Sequence, residues 1–168
     1  VFGYGSLIWR PGFEFEQSAT GYVDGWKRRF WQASPDHRGT PDAPGRVVTL
    51  VPAPEARCWG ACFSVSESEE ERVLDQLDER ESGGYERQRV RIHMGETEQW
   101  AVTWIAAAHN SNFLGEAPME AMVEQIAGAR GQSGANVDYV LELAATLEQR
   151  GISDEHVMAV EAGLRLRV

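Results

Sequence analysis

Three carboxylates crowd into four residues at Asp78-Glu79-Arg80-Glu81, where a helical pattern is about to stop at Gly83-Gly84. Negative charge is disfavoured at a helix C-terminus, because the backbone dipole has its negative end there. An acid held at that point, partly buried against Tyr85 and apolar neighbours, has its pKa pushed upward and becomes a candidate general base near neutral pH. A solvated helix end carries the same letters, so both readings stand. The second stretch is Phe2-Gly3-Tyr4-Gly5-Ser6-Leu7. A strand ending in two glycines lets the backbone turn sharply, with consecutive N–H groups aimed into one concavity. Such a nest binds a carboxylate or phosphate without a dedicated arginine. An ordinary glycine turn is the competing explanation.

Other chemistry finds little support. His37, His93, His109 and His156 lack the pair spacing of metal ligands, and none adjoins a cysteine, so neither a metal nor a cofactor is expected. Cys58 and Cys62 sit four apart in a strand-like stretch, about 13 Å at strand rise, too far for a disulfide. Buried in a strand, they read as inert packing. Gly3-x-Gly5 lacks the rest of a dinucleotide fingerprint, and no G-K-[ST] phosphate loop occurs. The basic-aromatic run Trp26 to Trp31 divides along a strand into Trp26, Arg28 and Phe30 on one face and Lys27, Arg29 and Trp31 on the other. That leaves no single basic stripe with a stacking platform.

Charge points the same way. The net charge is −10, unfavourable for holding a phosphate backbone, so no nucleic-acid partner is expected. Residues 1–66 sum to +1 and residues 67–168 to −11, so a small anion meets least repulsion at the N-terminal part. No apolar run is long enough to span a bilayer, and no membrane partner is expected. No secretory pattern is visible, although residue 1 is Val rather than Met, which leaves room for residues before it. The expectation is a reduced, cytoplasmic protein. Its 168 residues suit a single domain over 1–168, and 42% apolar with 25% charged residues excludes disordered and collagenous classes. Neither composition nor motif dictates an oligomeric state.

The elements that must position these residues follow from periodicity. Strand patterns occupy Val1–Tyr4, Gly21–Gln32, Arg46–Val51, Arg57–Val65, Glu86–His93 and Gln99–Ala107. Along 57–65, alternation places Trp59, Ala61, Phe63 and Val65 on one face. Ser66-Glu67-Ser68-Glu69 reads as a capping box opening a helix with Val73, Leu74 and Leu77 inward. A second helix begins near Pro118, turns Met119, Met122, Val123 and Ile126 inward, and stops near Gly131. A third runs from about Asn136 to Arg150, and a fourth opens at Ser153 with Val157, Val160 and Leu164 buried. Strands, one helix, two strands and three helices do not make a βαβ series. The order predicts α+β, with a mostly antiparallel or mixed sheet.

Taken together, these segments resemble the ChaC family of γ-glutamylcyclotransferases. The likeness rests on Phe2-Gly3-Tyr4-Gly5-Ser6-Leu7-Ile8-Trp9, Arg28-Arg29-Phe30-Trp31-Gln32 with Ser34, and Asp36-His37-Arg38-Gly39-Thr40-Pro41. It continues through Pro44-Gly45-Arg46-Val47-Val48-Thr49-Leu50, Trp59-Gly60, Leu77-Asp78, Arg80-Glu81, Gly83-Gly84-Tyr85, Asn112 to Gly115 and Asn136 to Leu143. The resemblance implies a small mixed β-barrel flanked by helices, and cytoplasmic breakdown of glutathione to 5-oxoproline and cysteinylglycine. It places Tyr4 to Leu7 in the loop that binds the γ-glutamyl group, and Glu81 at the essential acid/base. Ser82 stands where relatives often carry Lys. Phe2 and Gly3 precede the loop and are expected at the substrate with it. Ser34, Arg38 and Tyr139 are further substrate-binding candidates, each with a structural alternative: a turn at Asp36–Gly39, or a core tyrosine. Arg46 is expected to pair with an internal acid.

Two rival readings keep this fold. One is cyclisation of other γ-glutamyl compounds: amino acids, amines or carrier-bound groups. The other is a non-catalytic anion-binding module, which would have no use for Glu81.

Overall fold

The computed structural model describes residues 1–167. Its contacts divide the chain into two compact units: Val1–Lys27 with Leu50–Asn110, and Arg28–Thr49 with Ser111 onward. The first unit opens with β1 (Phe2–Gly3) and a short 3₁₀ turn (Ser6–Ile8). Two long strands follow, β2 (Gln17–Ser34) and β3 (Gly45–Ser64), each contributing residues to both units. Helix α1 (Glu70–Arg80) and strands β4 (Glu86–Met94) and β5 (Thr97–Ile105) complete the first unit.

The sheet order is β1-β3-β2-β4-β5, and the pairings β1–β3, β2–β4 and β4–β5 are antiparallel. This is the α+β architecture expected. The five-stranded sheet has β1 and β5 at the ends of its order, and a side chain links the two: Thr103 Oγ1 donates to Phe2 O at 2.8 Å. Gly60 is required beside β1, since a Cβ there would stand 2.2 Å from Gly3 O.

Three expectations for this unit are corrected. The two strands expected at 46–51 and 57–65 are one, because Pro52 and Pro54 keep the extended backbone that their fixed φ permits. Ser66 to Glu69 form a turn, with Glu69 N donating to Ser66 O, and no side chain caps α1 at Glu69; the helix begins at Glu70. Trp59 does not share the interior with Ala61 and Phe63: it is 39% exposed and leans on the Tyr22 ring at 4.7 Å. In α1, Val73 and Leu77 are buried while Leu74 is half-buried.

The second unit packs α2 (Met119–Gly128), α3 (Asn136–Gln149) and α4 (Glu155–Arg165) with the inner ends of β2 and β3, and carries the small hairpin β6 (Arg130–Gly131) and β7 (Gly134–Ala135). Met122, Val123 and Ile126 face inward from α2, but Met119, expected with them, is exposed at the first turn. Asp154 caps α4, accepting from the backbone N–H groups of His156 and Val157 at 3.1 Å. The same carboxylate receives Arg28, the side chain of which is fully buried, at 2.5 Å. This explains the two-sided strand: Arg28 and Phe30 belong to the core, and Phe30 N donates to His156 Nε2 at 3.1 Å.

Arg46 is buried, as expected of an internal partner, but the partner differs. Its Nε donates to Gln125 Oε1 at 2.6 Å and its Nη1 to Phe30 O at 2.9 Å; among the described residues no carboxylate pairs with it. Burial alone lowers its pKa from the ordinary arginine value. Asn136 braces the same residue from both sides, accepting from Arg46 N at 2.6 Å and donating to Arg46 O at 2.8 Å.

Candidate active site

Glu81 follows the last helical residue of α1, and its N–H donates to Leu77 O at 2.9 Å. Leu77 is wholly buried and anchors this turn. The chain then leaves through Gly83 and Gly84, and Gly84 takes a positive φ of 107° that suits glycine. The Glu81 side chain keeps only 18% of its exposure. Burial raises its pKa above the ordinary carboxylate range, and the neighbouring Arg80 guanidinium partly offsets this. A raised pKa together with partial access is what a proton-transfer group near neutral pH needs.

Arg80 connects this acid to the N-terminal loop. Its Nε lies 3.6 Å from Glu81 Oε1, and its Nη2 donates to Ser6 Oγ at 3.1 Å. Its Nη1 donates to Arg10 O at 2.7 Å and to Pro11 O at 2.9 Å. Gln76, one turn earlier, donates from Nε2 to Gly12 O at 2.7 Å. A second route runs through Trp104 on β5, which accepts at its carbonyl from Tyr4 OH at 2.6 Å and donates from Nε1 to Asp78 Oδ1 at 2.7 Å. The loop and the helix end are therefore joined twice within the first unit.

After β1 the chain turns, and Ile8 N donates to Gly5 O at 3.0 Å to close the 3₁₀ turn. The N–H groups opening such a turn have no intrahelical acceptor, which suits an anion. Phe2, Tyr4 and Leu7 are buried, while Gly5 and Ser6 keep partial exposure.

The remaining candidates, Ser34, Arg38 and Tyr139, gather in the second unit. Ser34 Oγ accepts from Arg38 N at 3.0 Å and lies 3.3 Å from Asp36 Oδ1. Arg38 donates from Nη1 to Ala135 O at 3.0 Å, and its guanidinium carbon stands 5.7 Å from the centre of the Tyr139 ring. Tyr139 OH accepts from Val48 N at 3.4 Å. All three are buried, and these contacts brace the turn and the core that the structural alternatives describe. Sequence reasoning overlooked the parts played by Arg80, Asp78 and Trp104. An arginine in a helix's last turn has a ready explanation in the dipole, which hides any further role.

Comparison with known proteins gives a consistent result. A family model described as "ChaC-like protein" matches residues 1–166. The chain is 40% identical over 171 residues to glutathione-specific gamma-glutamylcyclotransferase 1 of Danio rerio, covering 98% of this chain and 87% of that one. Against the Homo sapiens protein of the same name it is 40% identical over 167 residues, covering 95% and 75% of the two chains. The crystal structure of a γ-glutamyl cyclotransferase specific to glutathione from yeast superposes with a TM-score of 0.93 at 25% identity, covering 98% of this chain and 94% of that one.

Proposed function

Because the chain belongs to the ChaC-like family, we propose that it is a γ-glutamylcyclotransferase acting on glutathione, with Glu81 as its general acid/base. The observation that carries the mechanism is a largely buried carboxylate of raised pKa, tied through Arg80 to the loop that begins at Ser6.

A γ-glutamyl peptide contains its own nucleophile. The free α-amine can reach the γ-carbonyl and close a five-membered ring, so neither water nor an enzyme nucleophile is consumed. Holding that geometry contributes roughly 7–11 kcal/mol in favourable intramolecular cases. The bond formed is from the α-nitrogen to the γ-carbon; the bond broken is from the γ-carbon to the cysteinyl nitrogen. Glu81 takes the proton from the attacking amine and returns one to the departing nitrogen, releasing 5-oxoproline and cysteinylglycine. Proton transfer of this kind is typically worth roughly 10²–10⁴-fold.

The turn at Gly5 to Leu7 suits the α-carboxylate, supported by the partial exposure of Gly5 and Ser6 at the start of a short 3₁₀ turn. In the second unit, Arg38 is the cation we assign to a carboxylate, with Ser34 and Tyr139 in contact with it. Cytoplasmic placement belongs to the same proposal, supported by Cys58 and Cys62 being buried thiols rather than a disulfide.

The test is a panel of γ-glutamyl compounds, with 5-oxoproline release read as kcat/KM. Glutathione is expected to lead. Equal turnover of γ-glutamyl dipeptides would replace glutathione with the wider compound class, and binding without any turnover would leave an anion-binding module.

A further inference from the structure

We propose that Arg80 is a positioning residue: its guanidinium fork holds the Ser6–Pro11 loop to the last turn of α1 and so sets the Ser6 hydroxyl relative to Glu81. The inference rests on Glu81 being the acid/base, and extends that reading to how the loop is held. Helix-end electrostatics alone would be satisfied by any cation in the last turn. Arg80 does more, reaching Ser6 Oγ, Arg10 O, Pro11 O and Glu81 Oε1 within 2.7–3.6 Å. Only a planar fork with donors on separate nitrogens satisfies this set; an ammonium, as a compact point charge, does not.

The contact also orients a proton. A serine hydroxyl has one donor and two acceptor sites. With Arg80 Nη2 donating to Ser6 Oγ, the Ser6 proton is turned away from the guanidinium and is left to donate elsewhere. Ser6 keeps partial exposure, which leaves room for a ligand to accept from that hydroxyl. A hydroxyl held in this way is suited to the carbonyl oxygen that gains negative charge as the ring closes.

Charge and geometry can be separated by substitution. In Arg80→Lys the charge beside Glu81 persists but the fork is lost. We expect kcat to fall about 10- to 100-fold, within the range for a small misplacement of reacting groups. The acid limb of its kcat/KM profile should stay at the wild-type pH, while amides of residues 6–12 exchange faster with solvent. In Arg80→Gln the same loss should come with an acid limb moved to higher pH, because the charge that favours ionised Glu81 is gone. Adding Ser6→Ala to Arg80→Lys should cost less than Ser6→Ala costs in the wild type, since both act through one contact.

Amides of α3 serve as the internal reference. Arg80→Lys with wild-type kcat and wild-type loop protection overturns the proposal. So does acceleration of loop and α3 exchange alike, which would make Arg80 a general stabiliser of the fold. If the wild type releases no 5-oxoproline from any γ-glutamyl compound, the acid/base reading falls, and the exchange comparison still decides whether Arg80 holds the loop.

Discussion

Trp104 Nε1 donates to Asp78 Oδ1 at 2.7 Å, three residues before Glu81. Trp104 is almost wholly buried, so its N–H must have a partner inside the protein. Asp78→Ala removes that acceptor and is expected to destabilise by about 1–3 kcal/mol. The ion pair from Arg87 to Asp78, 3.3 Å and well exposed, adds little to this. Asp78→Asn keeps the acceptor oxygen and should lie closer to wild type. Urea midpoints at constant m-value compare the three, and an alanine variant as stable as the asparagine one would show that the indole bond contributes nothing.

Glu81→Gln preserves shape and removes the proton-transfer group. Release of 5-oxoproline should fall roughly 10²–10⁴-fold, while calorimetry still records glutathione binding. Undiminished turnover would remove Glu81 from the mechanism.

The same substitution has a consequence for stability that depends on pH. Burial raises the folded-state pKa of Glu81, so the folded protein holds this proton more tightly than the unfolded chain. Below the unfolded carboxyl value, about 4.3, the group is protonated in both states and contributes nothing. As pH rises beyond it, the unfolded chain ionises first and stability is lost, until the folded-state pKa is passed. Glu81→Gln is therefore expected to match wild type in acid and to exceed it near neutrality. Thermal unfolding across that range checks the sign; a wild type more stable than the variant at neutral pH would reverse it.

Asn136 is fully buried and satisfies both backbone polar groups of Arg46. Asn136→Ala leaves a buried N–H and a buried carbonyl without their partner and should cost upward of about 2 kcal/mol. Calorimetric unfolding measures it. Because Asn136 touches neither Glu81 nor the Ser6 loop in these contacts, loss of stability without loss of kcat at low temperature is expected.

Local chemistry was readable in the letters, and distant pairing was not. Glu81 stood out because an acid at a helix C-terminus contradicts the dipole, and the Gly3–Ser6 turn because glycine marks a backbone conformation. Both signals lie within a few residues. The Arg80 contacts to Ser6 and Arg10 span about seventy residues of sequence, and nothing in the spacing marks them. Arg46 was foreseen as buried from its place before an apolar run, yet its amide partner Gln125 sits in an ordinary helical position. The patterns at 46–51 and 57–65 read as two strands because residues 52–56 between them show no apolar alternation, although one strand runs through both. Ser66 looked like a cap for the same local reason, and the chain used it in a turn instead.

Neither compact unit is a contiguous stretch of chain: residues 28–49 of the second are completed long before residues 111 onward. During synthesis from the N-terminus, a ribosome that has passed Asn110 has delivered all of the first unit but only residues 28–49 of the second. The carboxylate that receives Arg28 caps α4 and the amide that receives Arg46 lies on α2, both still unmade at that moment. Arg28 must therefore wait for its carboxylate and Arg46 for its side-chain partner, which makes the interleaved order of the chain a constraint on when folding can finish.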